Sequence, residues 1–305
     1  MRLRLHPARS ANSSTWKRGR AIRSRPLFAS ISYHGSLLAA PLRTISRRQI
    51  QYIRELLSTK RTRDQEGVFV LEGAKPILEL LRSAPDQVVE VVVTSNFLDR
   101  HTSSERKQVL EASGRVYSCP MERFSPLSDV DSSQGILALV RRPTWDQQTI
   151  LARPRLLGVY GDRLQDPTNL GSIIRTAAAL DIGGLWLTAH SVDVFNPKVV
   201  RATAGTLFRL PIFLHAELQD LVQAGCTVLA ADSAHRDSIS LRSIHSLPAR
   251  TIVALGSEGQ GLSPATLQAA RTRLTVPLRK GVESLNVAAA AAMILYHLSG
   301  LPSSR

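Results

Sequence analysis

The 305-residue chain is 43% hydrophobic, which is enough for a sizeable core and indicates about two domains. Its longest uncharged apolar run, residues 287–298, is too short to span a bilayer, so no membrane segment is expected. The two cysteines, Cys119 and Cys226, lack CxxC spacing, which argues against a zinc site or a disulfide framework and fits a reducing compartment.

The net charge of +15 is concentrated at the N-terminus. The first 54 residues hold 12 of the 39 basic residues and none of the 24 acidic ones. This Arg- and Ser-rich composition is typical of an organellar transit peptide, but an RNA-binding arm and an over-long start without function remain open alternatives. The first alternative predicts a mitochondrial matrix or chloroplast stroma, and the others predict a bacterial cytoplasm. Residues 1–42 are therefore predicted as a separate, disordered basic segment.

Residues 43–142 are predicted to form a small α/β domain. Ile50, Ile53 and Leu57 lie at helical spacing and predict a helix over 47–57, and Lys60–Arg63 is then predicted as an exposed basic patch. The domain carries no catalytic constellation, and its basic start favours an RNA-docking module over a packed adaptor. The remaining helices are expected at 72–82 and 103–112, and the strands at 67–71, 87–94 (central and β-branched), near 116 and at 135–140.

A linker is predicted at residues 143–152, because Arg141–Trp145 combines charge with proline. Residues 153–305 then alternate strands and helices, which is the pattern of a parallel sheet. The strands are expected at 156–160, 184–188, 211–214, 227–231, 251–255 and 274–276. The helices are expected at 170–180, 197–206 (with Asn196 as N-cap), 217–224, 263–271 and 287–298.

Three loops follow strands of this sheet, at the edge where parallel sheets bind ligands. The first, residues 162–171, leads into a helix, and Asn169 is an N-cap candidate that leaves the helix start facing a phosphate or ribose. Arg175 follows in an apolar run, where it needs a partner. That partner is either a ligand or an internal salt bridge.

The second loop, residues 255–262, contains three glycines, which let the backbone approach a ligand, and one charged residue, Glu258. A glycine-rich turn with a solvated glutamate is the simpler alternative. The third stretch, residues 276–287, joins an apolar strand to a polar loop and an alanine-rich helix, and predicts a pocket wall. The chain lacks dinucleotide-binding, P-loop and G-x-S-x-G motifs and any metal-binding cluster. The residues alone thus indicate a ligand-binding α/β domain.

Taken together and in this order, the three loops resemble the SpoU (TrmH) family of RNA ribose 2′-O-methyltransferases, within the SPOUT superfamily. Residues 153–300 match the family well, and 46–140 more loosely resemble its substrate-binding domain of ribosomal-protein-L30e type. The segments that carry the resemblance are Asp166–Ala177, Asn196–Ile212, Leu255–Leu262, Val276–Leu278 and Glu283–Ala290.

The resemblance implies an α/β fold in which a SPOUT-type trefoil-knot catalytic domain follows the small L30e-like domain. It implies an S-adenosylmethionine pocket contacted by Gly256, Val276 and Leu285. It also implies a homodimer whose active sites are completed across the interface, and it calls for no metal. The implied function is 2′-O-methylation of structured RNA, ribosomal RNA first and transfer RNA second. A catalytically inactive RNA-binding or ribosome-assembly factor on the same fold is the alternative.

Five catalytic positions follow from the resemblance: Arg175, Asn169, Glu258, Ser284 and Asn286. Arg175 would stabilise the developing 2′-alkoxide or grip a neighbouring phosphate, because a guanidinium stays protonated. Asn169 would orient Arg175 or the ribose, and Glu258 would pair with Arg175 or fix its loop. Ser284 and Asn286 would cap the last helix and hydrogen-bond near the cofactor.

Overall fold

A computed structural model describes residues 42–303, except 113–114, 129, 131 and 233–236. By contacts the chain divides into residues 1–41 and 42–305, and the description concerns the second unit. The predictions for the basic N-terminal segment thus fall, except at Leu42, outside the described residues. Within the described chain, no helix is both long and apolar enough to cross a membrane.

Residues 43–141 form a mixed five-stranded sheet with helices around it. The strand order is β1-β4-β3-β5-β2, so the β-branched strand β3 is central, as predicted. β5 runs antiparallel to both β2 and β3. The elements are β1 (Arg43–Thr44), α1 (Arg47–Ser58), α2 (Lys60–Glu66), β2 (Val68–Glu72), α3 (Ala74–Ser83), β3 (Val88–Val93), α4 (Ser95–Arg100), α5 (Ser103–Ala112), β4 (Val116–Ser118), α6 (Met121–Phe124) and β5 (Ile136–Arg141).

The first helices show where local sequence signals hold and where they fail. Ser46 and Gln49 form a reciprocal capping box that starts α1. Leu56, rather than the predicted Leu57, completes the buried stripe of α1 with Ile50 and Ile53. Lys60 and Arg61 of the predicted basic patch are exposed, but the segment is the first turn of α2, and Arg63 is buried with only 3% exposed.

The rest of the chain builds the predicted parallel sheet. Its seven strands have the order β10-β12-β9-β11-β6-β7-β8, and every neighbouring pair is parallel. The segment predicted as a linker contains a short helix, α7. The elements are α7 (Gln147–Leu151), β6 (Leu156–Asp162), α8 (Pro167–Ala179), β7 (Gly184–Leu187), α9 (Pro197–Ala202), β8 (Ile212–Leu214), α10 (Leu218–Gln223), β9 (Thr227–Ala231), β10 (Ile239–Ser240), β11 (Arg250–Gly256), α11 (Pro264–Ala269), β12 (Thr272–Thr275) and α12 (Val287–Ser299).

Helix α9 is shorter than the predicted helix over 197–206. Its start agrees with the prediction, because the Asn196 side chain accepts a hydrogen bond from the Lys198 N–H at 2.9 Å. Its continuation is prevented at Ala204 and Gly205, whose φ angles are +50° and +88°. These left-handed residues end the helix, and a 3₁₀ turn follows over Thr206–Arg209.

The two domains share one buried apolar core. Phe69 on β2 lies 5.1 Å, ring to ring, from Phe195 in the loop before α9. The Arg142 guanidinium lies 4.3 Å above the same Phe195 ring. The buried Arg63–Asp193 ion pair, at 2.7 Å, lies at this contact as well. The small domain is therefore fixed to the loop that precedes α9 by both apolar and charged contacts.

Helices α8 and α9 approach closely at Gly171. A Cβ atom there would overlap the Ala202 Cβ and lie 2.8 Å from the Val199 carbonyl oxygen. We expect Gly171→Ala to destabilise the protein by about 1–3 kcal/mol, because overpacking outweighs the gain in helix propensity. Gly259→Ala is the matched control, because nothing lies within 4 Å of a Cβ at that glycine. Urea unfolding measures both, and equal stabilities would contradict the close packing.

Candidate active site

A cavity of about 810 Å³ lies at the carboxyl ends of β9, β11 and β12. Its volume falls in the range of small-molecule sites. All three residues predicted to contact a cofactor, Gly256, Val276 and Leu285, line this cavity. So do three of the five predicted catalytic residues, Glu258, Ser284 and Asn286. The second and third loops of the sequence prediction are thus walls of one pocket.

The loop over 256–262 is tight because of its glycines. A Cβ on Gly256 would overlap the backbone of Gly261 and Leu262. Two hydrogen bonds close the loop: the Ser257 N–H donates to the Gly261 carbonyl at 3.1 Å, and the Gly261 N–H donates to the Ser257 carbonyl at 2.9 Å. Gly261 has a φ of +66°. At Gly256 and Gly261 the missing side chain is therefore required by the turn itself.

One chain of hydrogen bonds joins all three loops. The Asn169 Nδ2 donates to the Glu258 Oε1 at 2.9 Å, and the Asn286 Nδ2 donates to the Asn169 Oδ1 at 2.8 Å. Glu258 also accepts from the backbone N–H groups of Gln165 and Asp166, each at 3.4 Å. Burial alone would raise the pKa of Glu258, but the hydrogen bonds from Asn169 and the backbone lower it below its ordinary value. The carboxylate is therefore ionised at neutral pH.

Asn169 does not cap helix α8 as the sequence predicted. Asp166 is the N-cap: its side chain accepts from the Asn169 N–H at 2.8 Å, and Pro167 takes the first helical position. Asn169 lies one turn into the helix with its side chain buried. The Asp-Pro pair, typical of an N-cap followed by N1, was the signal that could have placed this start correctly.

The last helix begins as predicted at Asn286 but not at Ser284. The Asn286 Oδ1 accepts from the N–H groups of Ala288 and Ala289 at 2.9 and 3.3 Å. Among the described residues, no hydrogen bond joins Ser284 to the helix start, and its side chain is exposed at the cavity. Asn286 therefore has two contacts at once, with the helix start through its oxygen and with Asn169 through its nitrogen.

Arg175 lies apart from the other four residues. Its side chain is exposed on α8, and it lines neither this cavity nor the neighbouring one. The internal salt bridge considered for it does not form within the described part of the chain, and Glu258 binds Asn169 instead of Arg175. The apolar run around Arg175 predicted a mostly buried helix in which the arginine needs a partner, and this was wrong, because α8 leaves the face that carries Arg175 exposed.

A second cavity of about 700 Å³ adjoins the first and shares Ser257, Glu258 and Gln260 with it. Its other wall contains Asn169 and Arg163. Arg163 was not predicted as a site residue from the sequence, although it directly follows β6. The Arg163 side chain bridges the loops by donating to the Gln260 Oε1 at 2.9 Å and to the Asp162 Oδ1 at 3.2 Å. The Glu258–Asn169–Asn286 network thus lies where two cavities meet. Across the described residues, no group of His, Cys, Asp or Glu could hold a metal ion.

Asp162, the last residue of β6, stabilises the carboxyl edge of the parallel sheet. It is 2% exposed and accepts hydrogen bonds from the Ser263 N–H at 2.7 Å and the Thr266 hydroxyl at 2.8 Å. Burial raises the pKa of Asp162, but these hydrogen bonds outweigh that effect, and the net pKa lies below its ordinary value. A carboxyl group with a lowered folded-state pKa adds stability above its unfolded pKa and loses it as the pH falls through the folded value.

We therefore expect Asp162→Asn to cost about 1–3 kcal/mol near neutral pH, because the new amide presents a donor to existing donors. The difference from the unchanged protein should shrink below about pH 4, where the carboxyl of the unfolded chain begins to protonate, and vanish once the pH falls below the lowered folded-state pKa. Urea unfolding at several pH values measures this, with the exposed Asp220→Asn as control. A difference that stays constant with pH would show that ionised Asp162 is not the stabilising group.

Known proteins resemble the chain over most of its length. The family profile described as SpoU rRNA Methylase family matches residues 157–296, and the MRM3-like substrate binding domain profile matches 47–138. The 23S rRNA (guanosine(2553)-2′-O)-methyltransferase RlmP of Bacillus subtilis (strain 168) is 32% identical over 247 residues, covering 80% of this chain and 93% of RlmP. Homo sapiens rRNA methyltransferase 3, mitochondrial, is 25% identical over 304 residues, covering 82% and 71%.

A similar solved structure is that of the SpoU methyltransferase AviRb from Streptomyces viridochromogenes in complex with the cofactor AdoMet. It superposes with a TM-score of 0.70 at 28% sequence identity. The match covers 82% of this chain and 97% of AviRb, so both sheets take part in it.

Proposed function

The chain belongs to the SpoU rRNA methylase family, and from that premise we propose that it methylates the ribose 2′-hydroxyl of structured RNA with S-adenosylmethionine. The observation that carries this proposal is the Glu258–Asn169–Asn286 network between two adjoining cavities. Such a junction is where a donor bound on one side and an acceptor bound on the other can meet. Ribosomal RNA is the first expected substrate, because RlmP is named as a 23S rRNA enzyme, and transfer RNA is the second.

The first cavity fits S-adenosylmethionine in size and chemistry. Its walls at Val276 and Leu285 are apolar and suit adenine, and Gly256 offers backbone rather than a side chain. When bound, the cofactor supplies an electrophilic sulfonium methyl group. The chain therefore has to hold the ribose hydroxyl in line with that methyl group and stabilise the charge that develops on the oxygen.

The second cavity is proposed to receive the target nucleotide. Arg163 and Asn169 line it, and they can hydrogen-bond to phosphate or ribose oxygens. Glu258 and Asn286 hold Asn169 in one orientation, because its amide donates to one and accepts from the other. The network thus fixes the geometry of the junction, and Arg175 remains available to bind RNA phosphate or the developing alkoxide.

We further propose that the last strand and helix of each chain form the family's trefoil knot. We also propose that two chains form a homodimer. Helix α12 exposes an apolar stripe, with Met293 49% and Tyr296 74% exposed, and it packs against α8, which carries Arg175. We propose that a second copy covers this stripe and that Arg175 of one protomer then serves the cavities of the other. This arrangement accounts for an arginine that is exposed and lines neither cavity in a single chain.

Tyr296→Glu should convert the dimer to a monomer, because it places a charge in the proposed apolar interface. Methyl transfer should fall with dimerisation, whereas S-adenosylmethionine binding should not. Light scattering after gel filtration and calorimetry measure the two properties. Leu110→Glu, at an exposed leucine on α5, is the matched control for the oligomeric state. A monomeric unchanged protein with full activity would contradict the dimer.

Residues 43–142 are proposed to bind the RNA, and 153–305 to catalyse the transfer. The match of 47–138 to a substrate-binding domain supports the first assignment. Of the three alternatives for residues 1–42 we propose the organellar transit peptide, because the relative in Homo sapiens is named as mitochondrial. N-terminal sequencing of the native protein tests this, because a mature chain that still begins at Met1 would contradict cleavage.

The activity itself is tested with labelled S-adenosylmethionine and total RNA. The expected product is 2′-O-methylated ribosomal RNA, detected as methylated nucleotides after nuclease digestion. The position of the methyl group is mapped by comparing ribosomal RNA with that of a deletion strain, in which the site should be unmethylated. An inactive RNA-binding factor on the same fold would bind RNA but transfer nothing. Calorimetry with S-adenosylmethionine separates the two, because such a factor is expected not to bind the cofactor.

A further inference from the structure

The first cavity contains an ion pair that none of the sequence motifs predicted. Asp232 directly follows β9, which lies between β12 and β11, so it stands at the same sheet edge as Gly256 and Val276. Asp232 and Arg273 both line the cavity, and their side chains lie 3.5 Å apart. Their partial exposure, 18% and 29%, means that the pair borders the cavity rather than the buried core.

The backbone of Asp232 is held on both sides. Its N–H donates to the Leu274 carbonyl at 3.0 Å, and its carbonyl accepts from the Ser238 hydroxyl at 2.8 Å. The backbone that carries the Asp232 carboxylate is therefore fixed in the cavity wall. Arg273 lies beside it and offsets its charge, which reduces the cost of holding a carboxylate in a partly buried site.

The position of the pair within the cavity limits which part of a ligand it can meet. Glu258 and Asn286 mark the junction with the second cavity, where the reacting end of a cofactor must lie. Asp232 and Arg273 line only the first cavity. Adenine is uncharged and suits the apolar walls, whereas the vicinal ribose hydroxyls offer two donors that a carboxylate can accept. Acidic residues at strand ends bind ribose hydroxyls in other parallel sheets as well.

We propose that Asp232, positioned by Arg273, accepts hydrogen bonds from the ribose hydroxyls of the cofactor's adenosine. The pair then selects a ribonucleoside cofactor and fixes the adenosine end while the other end reacts. This inference rests on the proposed use of S-adenosylmethionine, and it concerns two residues outside the three family loops.

Calorimetry on the unchanged protein tests the inference first. S-adenosylhomocysteine should bind about ten- to hundredfold more tightly than its 2′-deoxy and 3′-deoxy analogues, the range expected for hydrogen bonds to a charged group. Equal affinities would overturn the role of Asp232 while leaving the proposed activity intact. A failure of S-adenosylhomocysteine itself to bind would overturn the proposed activity and this inference together.

Variants then assign the effect to the pair. Asp232→Asn should weaken S-adenosylhomocysteine and 5′-methylthioadenosine by the same factor, because both carry the ribose diol and only the first carries an amino acid. It should weaken the deoxy analogues much less. Asp220→Asn, at an exposed carboxyl in α10, should change nothing. Arg273→Gln should give a smaller loss of affinity, again larger for ligands with the ribose diol than for the deoxy analogues. If Asp232→Asn does not melt cooperatively, Arg273→Gln is the variant that tests the inference.

Two results would overturn the inference. A loss for S-adenosylhomocysteine without a loss for 5′-methylthioadenosine would place Asp232 at the amino-acid end. A loss that is equal for the diol and deoxy ligands would show that the pair only maintains the shape of the cavity.

Discussion

Arg175→Ala should lower the rate of methyl transfer by about a hundred- to thousandfold, the usual effect of removing one group that stabilises a developing oxyanion. The affinity for S-adenosylmethionine should not change, because Arg175 is exposed and lies outside the cofactor cavity. No ion pair holds Arg175 within the described part of the chain, so its removal leaves no buried charge behind. Single-turnover methylation of RNA and calorimetry with S-adenosylmethionine measure the two properties.

Two further variants separate charge from geometry at this position. Arg175→Lys keeps the positive charge but loses the planar fork that binds two oxygens at once, so it should recover only part of the rate. Arg155→Ala, at an exposed arginine before β6, should have little effect on the rate. Full activity in Arg175→Ala would remove the residue from the mechanism. A weakened cofactor affinity would move it from the RNA side to the cofactor side.

The parallel sheet and its ligand edge could be predicted because they depend on local patterns. Runs such as 227–231 and 251–255 are short and mostly apolar, the second bounded by Arg250 and Gly256, and strands of that kind are buried. The carboxyl ends of such strands share one edge, so the loops after β6, β11 and β12 had to be neighbours. The position of the first cavity could therefore be predicted without the structure.

The partners within the site were not accessible, because they are distant in sequence. Asn169 lies 89 residues from Glu258 and 117 from Asn286, and no local pattern encodes which amide meets which carboxylate. Arg63 shows the same limit, because its neighbours at 60–62 are polar and predict a solvated patch. Its burial is determined by Asp193, which lies 130 residues further along the chain.

The choice of asparagine at the centre of the network has a physical reason. An amide donates through its nitrogen and accepts through its oxygen, so Asn169 can join the Glu258 carboxylate to the Asn286 amide. An aspartate there could only accept, and it would repel Glu258. Asn169 therefore links the third loop to the other two, and the same side chain borders the second cavity.

Arg63→Met should lower the free energy of unfolding by about 3–5 kcal/mol, the range for breaking a buried ion pair on one side. Arg63 and Asp193 are 3% and 9% exposed and lie 2.7 Å apart, so the variant leaves the Asp193 carboxylate buried without its cation. It also removes the hydrogen bonds from Arg63 Nη1 to the Leu56 and Leu57 carbonyls. Urea unfolding measures the change, with the exposed Arg61→Met in the same helix as control.

The ion pair should also affect catalysis, because the loop that carries Asp193 supports the first active-site loop. The Val192 N–H donates to the Leu164 carbonyl at 2.8 Å, and the Gln165 Nε2 donates to the His190 carbonyl at 2.6 Å. We expect Arg63→Met to raise the KM for RNA and to lower the rate, because the small domain and this loop lose their common anchor. Adding Asp193→Asn should recover much of the stability by removing the unpaired charge. If the double variant is no more stable than Arg63→Met, the cost lies in the lost carbonyl contacts rather than in the stranded carboxylate.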